Sequence, residues 1–264
     1  MRVELAGGDG YYFRVPLKGL CENHPVAILM RCLFLIAIRE CSSLFATPTA
    51  WALATLYQLL AGILFTFGLE TGRYADLAPL YLRLTSLLLV IIPVISMGRI
   101  AGERRQGTME LLLTSPAAAW QIVGGKFLGL AAFVVLLTIL TLQYPLILMA
   151  YANPDPGQWI PATVGFALVG CLLAAIGLFA SSVTENQAFA GILAVSLSLV
   201  LWWAQGLSLV LESQGTGLYD KVSLLHRFAG FNQGIIDSRD LFYFVALIGF
   251  FLSLASRGVE SDRW

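Results

Sequence analysis

Along most of this chain the hydrophobic positions do not alternate with polar ones; they run on unbroken. Residues 48–69, 79–97, 120–151, 160–181, 188–211 and 241–256 are apolar around the whole helical circumference. Each is close to or above the roughly 20 residues that a helix needs to cross a bilayer. A helix on a soluble domain would keep one polar face toward water. The third run is longer than a bilayer requires, so its start is expected at the interface. Pro93 and Pro145 lie inside spans and predict kinks, because proline removes a helix hydrogen bond and crowds the preceding turn. The pattern predicts an all-α polytopic membrane protein, a single transmembrane domain over 1–264. Six spans occupy 47–257, between tails at 1–24 and 258–264.

Two further segments carry mixed patterns. Residues 26–46 are strongly apolar but include Arg31, Arg39 and Glu40. An arginine at the centre of a span costs about 2.5–3.5 kcal/mol on insertion scales. The segment 25–46 is therefore expected as a helix lying in the interface, with its arginines reaching out to water; a seventh span is the rival reading. Asn23-His24-Pro25 opens it, and Thr47-Pro48 makes a fresh start, with Thr47 as N-cap and Pro48 at the first helical position. Between the last two spans, Leu218, Val222, Leu225 and Phe228 recur at helical spacing. They predict a short amphipathic helix, with Gly230 and Gly234 punctuating the way into the sixth span.

Composition agrees with the pattern. Hydrophobic residues make up 58% of the chain and charged residues 12%, about half the charged share of a soluble domain. That is too little charge to coat a water-facing surface. Zero net charge leaves no case for nucleic-acid binding. Cys21, Cys32, Cys41 and Cys171 form no C-x-x-C pair and have no histidine at ligand spacing, so they read as packing residues. The N-terminus lacks the basic region and apolar run of a signal peptide, so the first apolar helix is expected to be retained.

Charge placement predicts topology. Arg2, Arg14, Lys18, Arg31, Arg39, Arg99, Arg104, Arg105, Lys126, Arg257 and Arg263 fall on one side. Arg73, Arg83, Lys221, Arg227 and Arg239 fall on the other. The positive-inside rule then puts both termini in the cytoplasm, in a cell inner (plasma) membrane.

The connection between the second and third spans is the most informative stretch. Glu103, Arg104 and Arg105 close the charged end of one span, and Gly107 breaks it. Thr108 can N-cap a new turn, with Glu110 in its first turn, where the helix dipole favours an anion. Leu111, Leu112 and Leu113 supply an apolar face, and Ser115 with Pro116 opens the third span. A short surface helix of this kind suits docking into a groove on a soluble partner, charges fixing register and leucines being buried. It reads equally as a solvated loop whose arginines set topology.

This stretch resembles the coupling region of ABC-2 type permeases. The family pattern of Glu-Arg, Gly-Thr, Glu, leucines and Ser-Pro is matched by Glu103, Arg104, Gly107, Thr108, Glu110, Leu112, Leu113, Ser115 and Pro116. Arg39-Glu40 with Thr47-Pro48 is similar to the family's approach to span one. Gly125-Lys126-Phe127 resembles its start of span three, and residues 181–187 its loop after span four. The closest subgroup is the gliding-motility-associated permeases. The resemblance implies a permease subunit, an exporter, working as a homodimer or with a related permease. Separate ABC ATPase subunits, which bind the ATP and Mg, would dock on the helix around Thr108. Thr184, Glu185, Asn186 and Gln187 form a second contact candidate that reads equally as a plain turn. A second function class is a complex that passes ATPase-driven work to a periplasmic partner without moving a solute.

Other classes find less footing. The phosphate-cradling pattern needs glycine, four residues, then Gly-Lys-Ser/Thr. Around Gly125-Lys126, Trp120 replaces the first glycine and Phe127 follows, so no nucleotide or other cofactor site is expected on this chain, and no metal site. The span interiors carry no Asp, Glu or His, with Lys126 and Arg83 near ends, which argues against ion coupling. Gln58, Gln143 and Gln205 read as helix-to-helix hydrogen bonds. His24 and His226 fall outside the spans, which leaves no intramembrane catalytic base. Gly125-x-x-x-Gly129 and Gly170-x-x-x-Ala174 allow close helix approach, within the chain or at a dimer contact.

Overall fold

The computed structural model describes residues 25–70, 77–105, 118–151, 155–204 and 223–261. Among these the chain is helical throughout, with no strand. The helices are α1 (Pro25–Ala46), α2 (Pro48–Glu70), α3 (Ala78–Ser96), α4 (Ala101–Arg105), α5 (Ala119–Thr141), α6 (Gln143–Tyr151), α7 (Pro156–Val183), α8 (Gln187–Trp202), α9 (Leu224–Asn232) and α10 (Ser238–Ser261). Five stretches are long and apolar enough to cross a membrane: Pro48–Gly68, Ala78–Arg105, Ala119–Ala150, Pro156–Val183 and Ser238–Ser261. They match five of the six expected spans. The remaining one, expected over 188–211, appears as the shorter apolar α8, and its stretch beyond 204 lies outside the described residues. α1 is present over the expected range but is not among the five, and it carries Arg31, Arg39 and Glu40.

α7 is the central post. It packs against α3, α5, α8, α9 and α10. Small residues let its neighbours approach. A Cβ on Gly170 would lie 2.6 Å from Val134 on α5, and one on Gly177 would overlap the Ser96 side chain on α3. A Cβ on Gly165 would meet Phe231 of α9 at 2.8 Å. α2 and α10 are the least covered, each with 22% of its apolar window buried. Their outward residues, such as Trp51, Leu59, Phe67, Phe242 and Phe250, form the apolar faces that lipid solvates.

Several polar side chains inside the bundle are paired across helices, as an apolar medium favours. Tyr57 and Thr141 share a 2.7 Å hydrogen bond, and so do Tyr81 and Thr163. The Gln58 amide donates to the Tyr144 hydroxyl at 3.0 Å, the interhelical role expected for it. Gln205 lies outside the described residues.

Three local details differ from expectation. Thr47 does not cap α2; its hydroxyl turns back and donates to the Leu44 carbonyl at 2.7 Å, closing α1. The break near Pro145 falls at Leu142 between α5 and α6, because Pro145 has no N–H for the carbonyl one turn earlier. α5 starts at Ala119, with Ala118 as N-cap and its N–H held by Gln121 Oε1 at 2.8 Å. Ser115 and Pro116, expected to open this helix, lie outside the described residues.

The expected amphipathic helix before the last span is α9. Leu224, Phe228 and Phe231 are buried against the bundle, and His226 is exposed as expected. Leu218 and Val222 lie outside the described residues. Gly234 ends this element at φ +89°, a conformation that favours glycine, and a Cβ there would come within 2.7 Å of the Gly157 carbonyl. Gly234→Ala combines both penalties and should lower stability by about 1–3 kcal/mol, read as an earlier unfolding transition in detergent.

Candidate functional site

The site grows from a pair of glycines. Gly125 and Gly129 lie one turn apart on α5 and leave a shallow face on which α1 rests. A Cβ on Gly125 would collide with Ile36, and one on Gly129 would lie 3.0 Å from the Glu40 Cβ. This small-residue pair therefore packs helices within the chain. Close approach has a chemical consequence. It brings the Glu40 carboxylate to the ammonium of Lys126, two turns inside α5, at 2.9 Å.

Lys126 also meets Glu103 of α4, at 2.7 Å. The lysine side chain is 1% exposed, Glu40 10% and Glu103 21%. Sequence placed Lys126 near a span end with no carboxylate inside any span. The structure delivers two carboxylates to it from outside the middle of the membrane. A buried ammonium costs several kcal/mol in desolvation, and close carboxylates are what offset that cost. One cation thus joins the helix before span one, the segment after span two and the body of span three.

A second tie holds the same segment. Ser181, near the C-terminal end of α7, is fully buried. Its hydroxyl accepts the N–H groups of Ile100 (3.1 Å) and Ala101 (2.9 Å) and donates to the Met97 carbonyl (2.9 Å). Those backbone groups belong to the break between α3 and α4, where no helix ladder satisfies them. Sequence gave Ser181 only as the first residue of a loop.

The expected coupling residues divide. Glu103 faces inward to Lys126. Arg104 is half-buried, with a guanidinium nitrogen 3.4 Å from the Gly258 carbonyl on α10. Arg105 is exposed. Gly107, Thr108, Glu110, Leu111, Leu112, Leu113, Ser115 and Pro116 lie outside the described residues. The second candidate stretch is at hand: Thr184 Oγ1 donates to the Asn186 carbonyl at 2.9 Å, Asn186 caps α8 through the Ala188 N–H, and Glu185 is exposed. Gln187 packs against Gly98, where a Cβ would lie 2.9 Å from its amide nitrogen. Glu103 and Gln187, far apart in sequence, thus line one cavity of about 560 Å³ together with Arg39, Glu40, Arg99 and Leu53.

The glycine contact itself can be tested. Gly125→Ala should cost about 1–3 kcal/mol through overpacking against Ile36. It should also expose a cysteine introduced at Ala37 to thiol reagents, which remains shielded in the parent. Equal labelling in both would refute the α1–α5 seat.

A bundle of apolar helices, five stretches of which among the described residues are long enough to cross a bilayer, defines a multi-pass membrane protein. Residues 33–236 match the ABC-2 family transporter protein family, and the chain belongs to that family. The chain is also similar to the probable multidrug ABC transporter permease YbhR of Escherichia coli strain K12. The two are 31% identical over 120 residues, 45% of this chain and 31% of the relative. The same figures hold for the relative of that name in Escherichia coli O157:H7. The match thus spans less than a third of the curated relatives' length. These similarities support the ABC-2 family and give the gliding-motility subgroup no support.

Proposed function

We propose that this chain is the membrane-spanning permease subunit of an ATP-driven exporter, paired with a second permease and coupled to separate ATPase subunits that bind ATP and Mg. In this reading it sits in the inner (plasma) membrane with both termini cytoplasmic. The ATPases dock on the connection that follows Arg105, with Thr184–Gln187 beside it. The observation that carries the proposal is the Lys126 junction. A displacement of the docking segment reaches Glu103 first, and through Lys126 it pulls on α5 and α1 together. Ser181 passes the same displacement to α7, the post against which most other spans pack.

The junction also changes which substitution probes docking. Reversing Glu103 would break an internal ion pair, whatever happens at the surface. Arg105 is the clean probe because it is exposed. The test is affinity capture of the full chain in mild detergent with every bound subunit identified. Arg105→Glu should reduce the captured ATPase several-fold and leave the permease's own unfolding transition unchanged. A cysteine at position 105 should react with a membrane-impermeant thiol reagent only when the inner face is open. Reaction from the outer face, or capture without any ATPase, would overturn the proposal.

A further inference from the structure

The cavity beside the junction is lined by both charged and apolar residues. Lys126 engages both carboxylates there, Glu40 and Glu103, at 2.9 and 2.7 Å. Two more cations line the space, Arg39 and Arg99. Among the described residues neither has a carboxylate within salt-bridge distance. Arg99 has only a long contact, 3.4 Å, from its Nε to the Ile95 carbonyl of its own helix. Among the described residues three cations, Lys126, Arg39 and Arg99, stand against two carboxylates, which act on the half-buried Arg99 as well as on Lys126, while Arg39 is exposed. A cluster with an excess of positive charge favours an anion in a ligand. Leu53, Val94 and Ile95 add apolar surface to the lining. A volume of about 560 Å³ is in the range of drug-sized sites.

We propose that this cavity binds an amphiphile with a phosphate-class anionic headgroup. Arg39 and Arg99 hold the anion, and the apolar tail lies on Leu53, Val94 and Ile95. Arginine suits the task because its planar fork meets two oxygens of a phosphate at once and keeps its charge when partly buried. A cationic ligand fits less well, since both carboxylates are already engaged. The proposal rests on the permease reading only in treating the occupant as cargo; the binding itself stands apart.

The test is native mass spectrometry of the full chain purified in detergent and exposed to phosphatidylglycerol. The parent should retain one lipid per chain. Arg99→Gln should lower retention about tenfold, the loss expected for one charge-assisted contact. Arg99→Lys should retain most of it, which separates charge from misfolding. Arg257→Gln, an exposed residue away from the cavity, should behave as the parent. Leu53→Asn should weaken lipid retention as well, because the tail loses apolar surface. Equal retention in Arg99→Gln and parent would overturn the proposal. So would displacement of the lipid by inorganic phosphate, which would reveal a site for free anion, or by tetraphenylphosphonium, which would reveal a cation site. ATPase capture from the same preparation keeps the two claims apart: capture without lipid retention sinks this site alone, and retention without capture sinks the coupling alone.

Discussion

Lys126→Met should be the most damaging single substitution in the chain. It removes the one cation that contacts both Glu40 and Glu103 among the described residues. Removing one partner of a buried ion pair costs about 3–5 kcal/mol, because the remaining charge stays desolvated and unpaired. Here two carboxylates lose their shared ion-pair partner, so the unfolding midpoint in detergent should fall sharply. Any ATPase activity stimulated by the permease should fall with it. The triple variant K126M/E40M/E103M separates the two effects. Replacing a whole buried ionic group by apolar residues of similar size is often neutral for stability. The triple variant should therefore regain most of the midpoint but not the stimulated activity, because the charged link between α4, α5 and α1 is gone. If the triple variant is as active as the parent, the junction is packing and transmits nothing. If Lys126→Met unfolds at the parental midpoint, Lys126 is not buried between the two carboxylates.

Ser181→Ala is expected to come next. The hydroxyl occupies three backbone groups at the α3–α4 break, two of them in a buried setting and the Met97 carbonyl in a part-buried one. Each buried polar group left unsatisfied costs about 1–3 kcal/mol, and the methyl side chain replaces none of the three bonds. We expect a loss of about 3 kcal/mol or more in the unfolding of the purified chain. Hydrogen exchange should rise at Ile100 and Ala101 and stay unchanged in the middle of α7. Ser181→Thr retains the hydroxyl but adds a methyl group in a fully buried position, so it should recover part of the loss and no more. Unchanged exchange at Ile100 and Ala101 in Ser181→Ala would show that another group holds that turn.

Both predictions concern residues whose roles one-dimensional reading could not assign, and the reason differs between them. Lys126 carried a signal. A lysine two turns inside an apolar helix, between two glycines one turn apart, implies that something anionic lies close, because lipid cannot hold the charge. The partners could not be named, since Glu40 and Glu103 are 86 and 23 residues away in sequence. Ser181 carried no such signal. A serine near the end of a span most often bonds its own helix, as Ser182 does with the Phe179 carbonyl. That Ser181 instead holds a turn some eighty residues away depends wholly on how α7 packs beside α3. Glu103 shows the opposite failure: its place in a charged run suggested an outward docking charge, and its side chain faces in.

What the chain determined by itself is the medium and the element type. Hydrophobic runs without a polar face admit only helices that satisfy their own backbone and are solvated by lipid. Five of the expected spans accordingly appear close to their expected limits. Tertiary structure alone decided which charges meet and which faces stay outside. In an apolar bundle every flank of a helix looks alike along the sequence, so burial cannot be ranked from hydrophobicity. The choice is made by sterics, at glycines that let one backbone come close to another, and by electrostatics, where a buried ammonium requires its carboxylates. Those two effects, at Gly125, Gly129 and Lys126, join α1, α4 and α5 into the site.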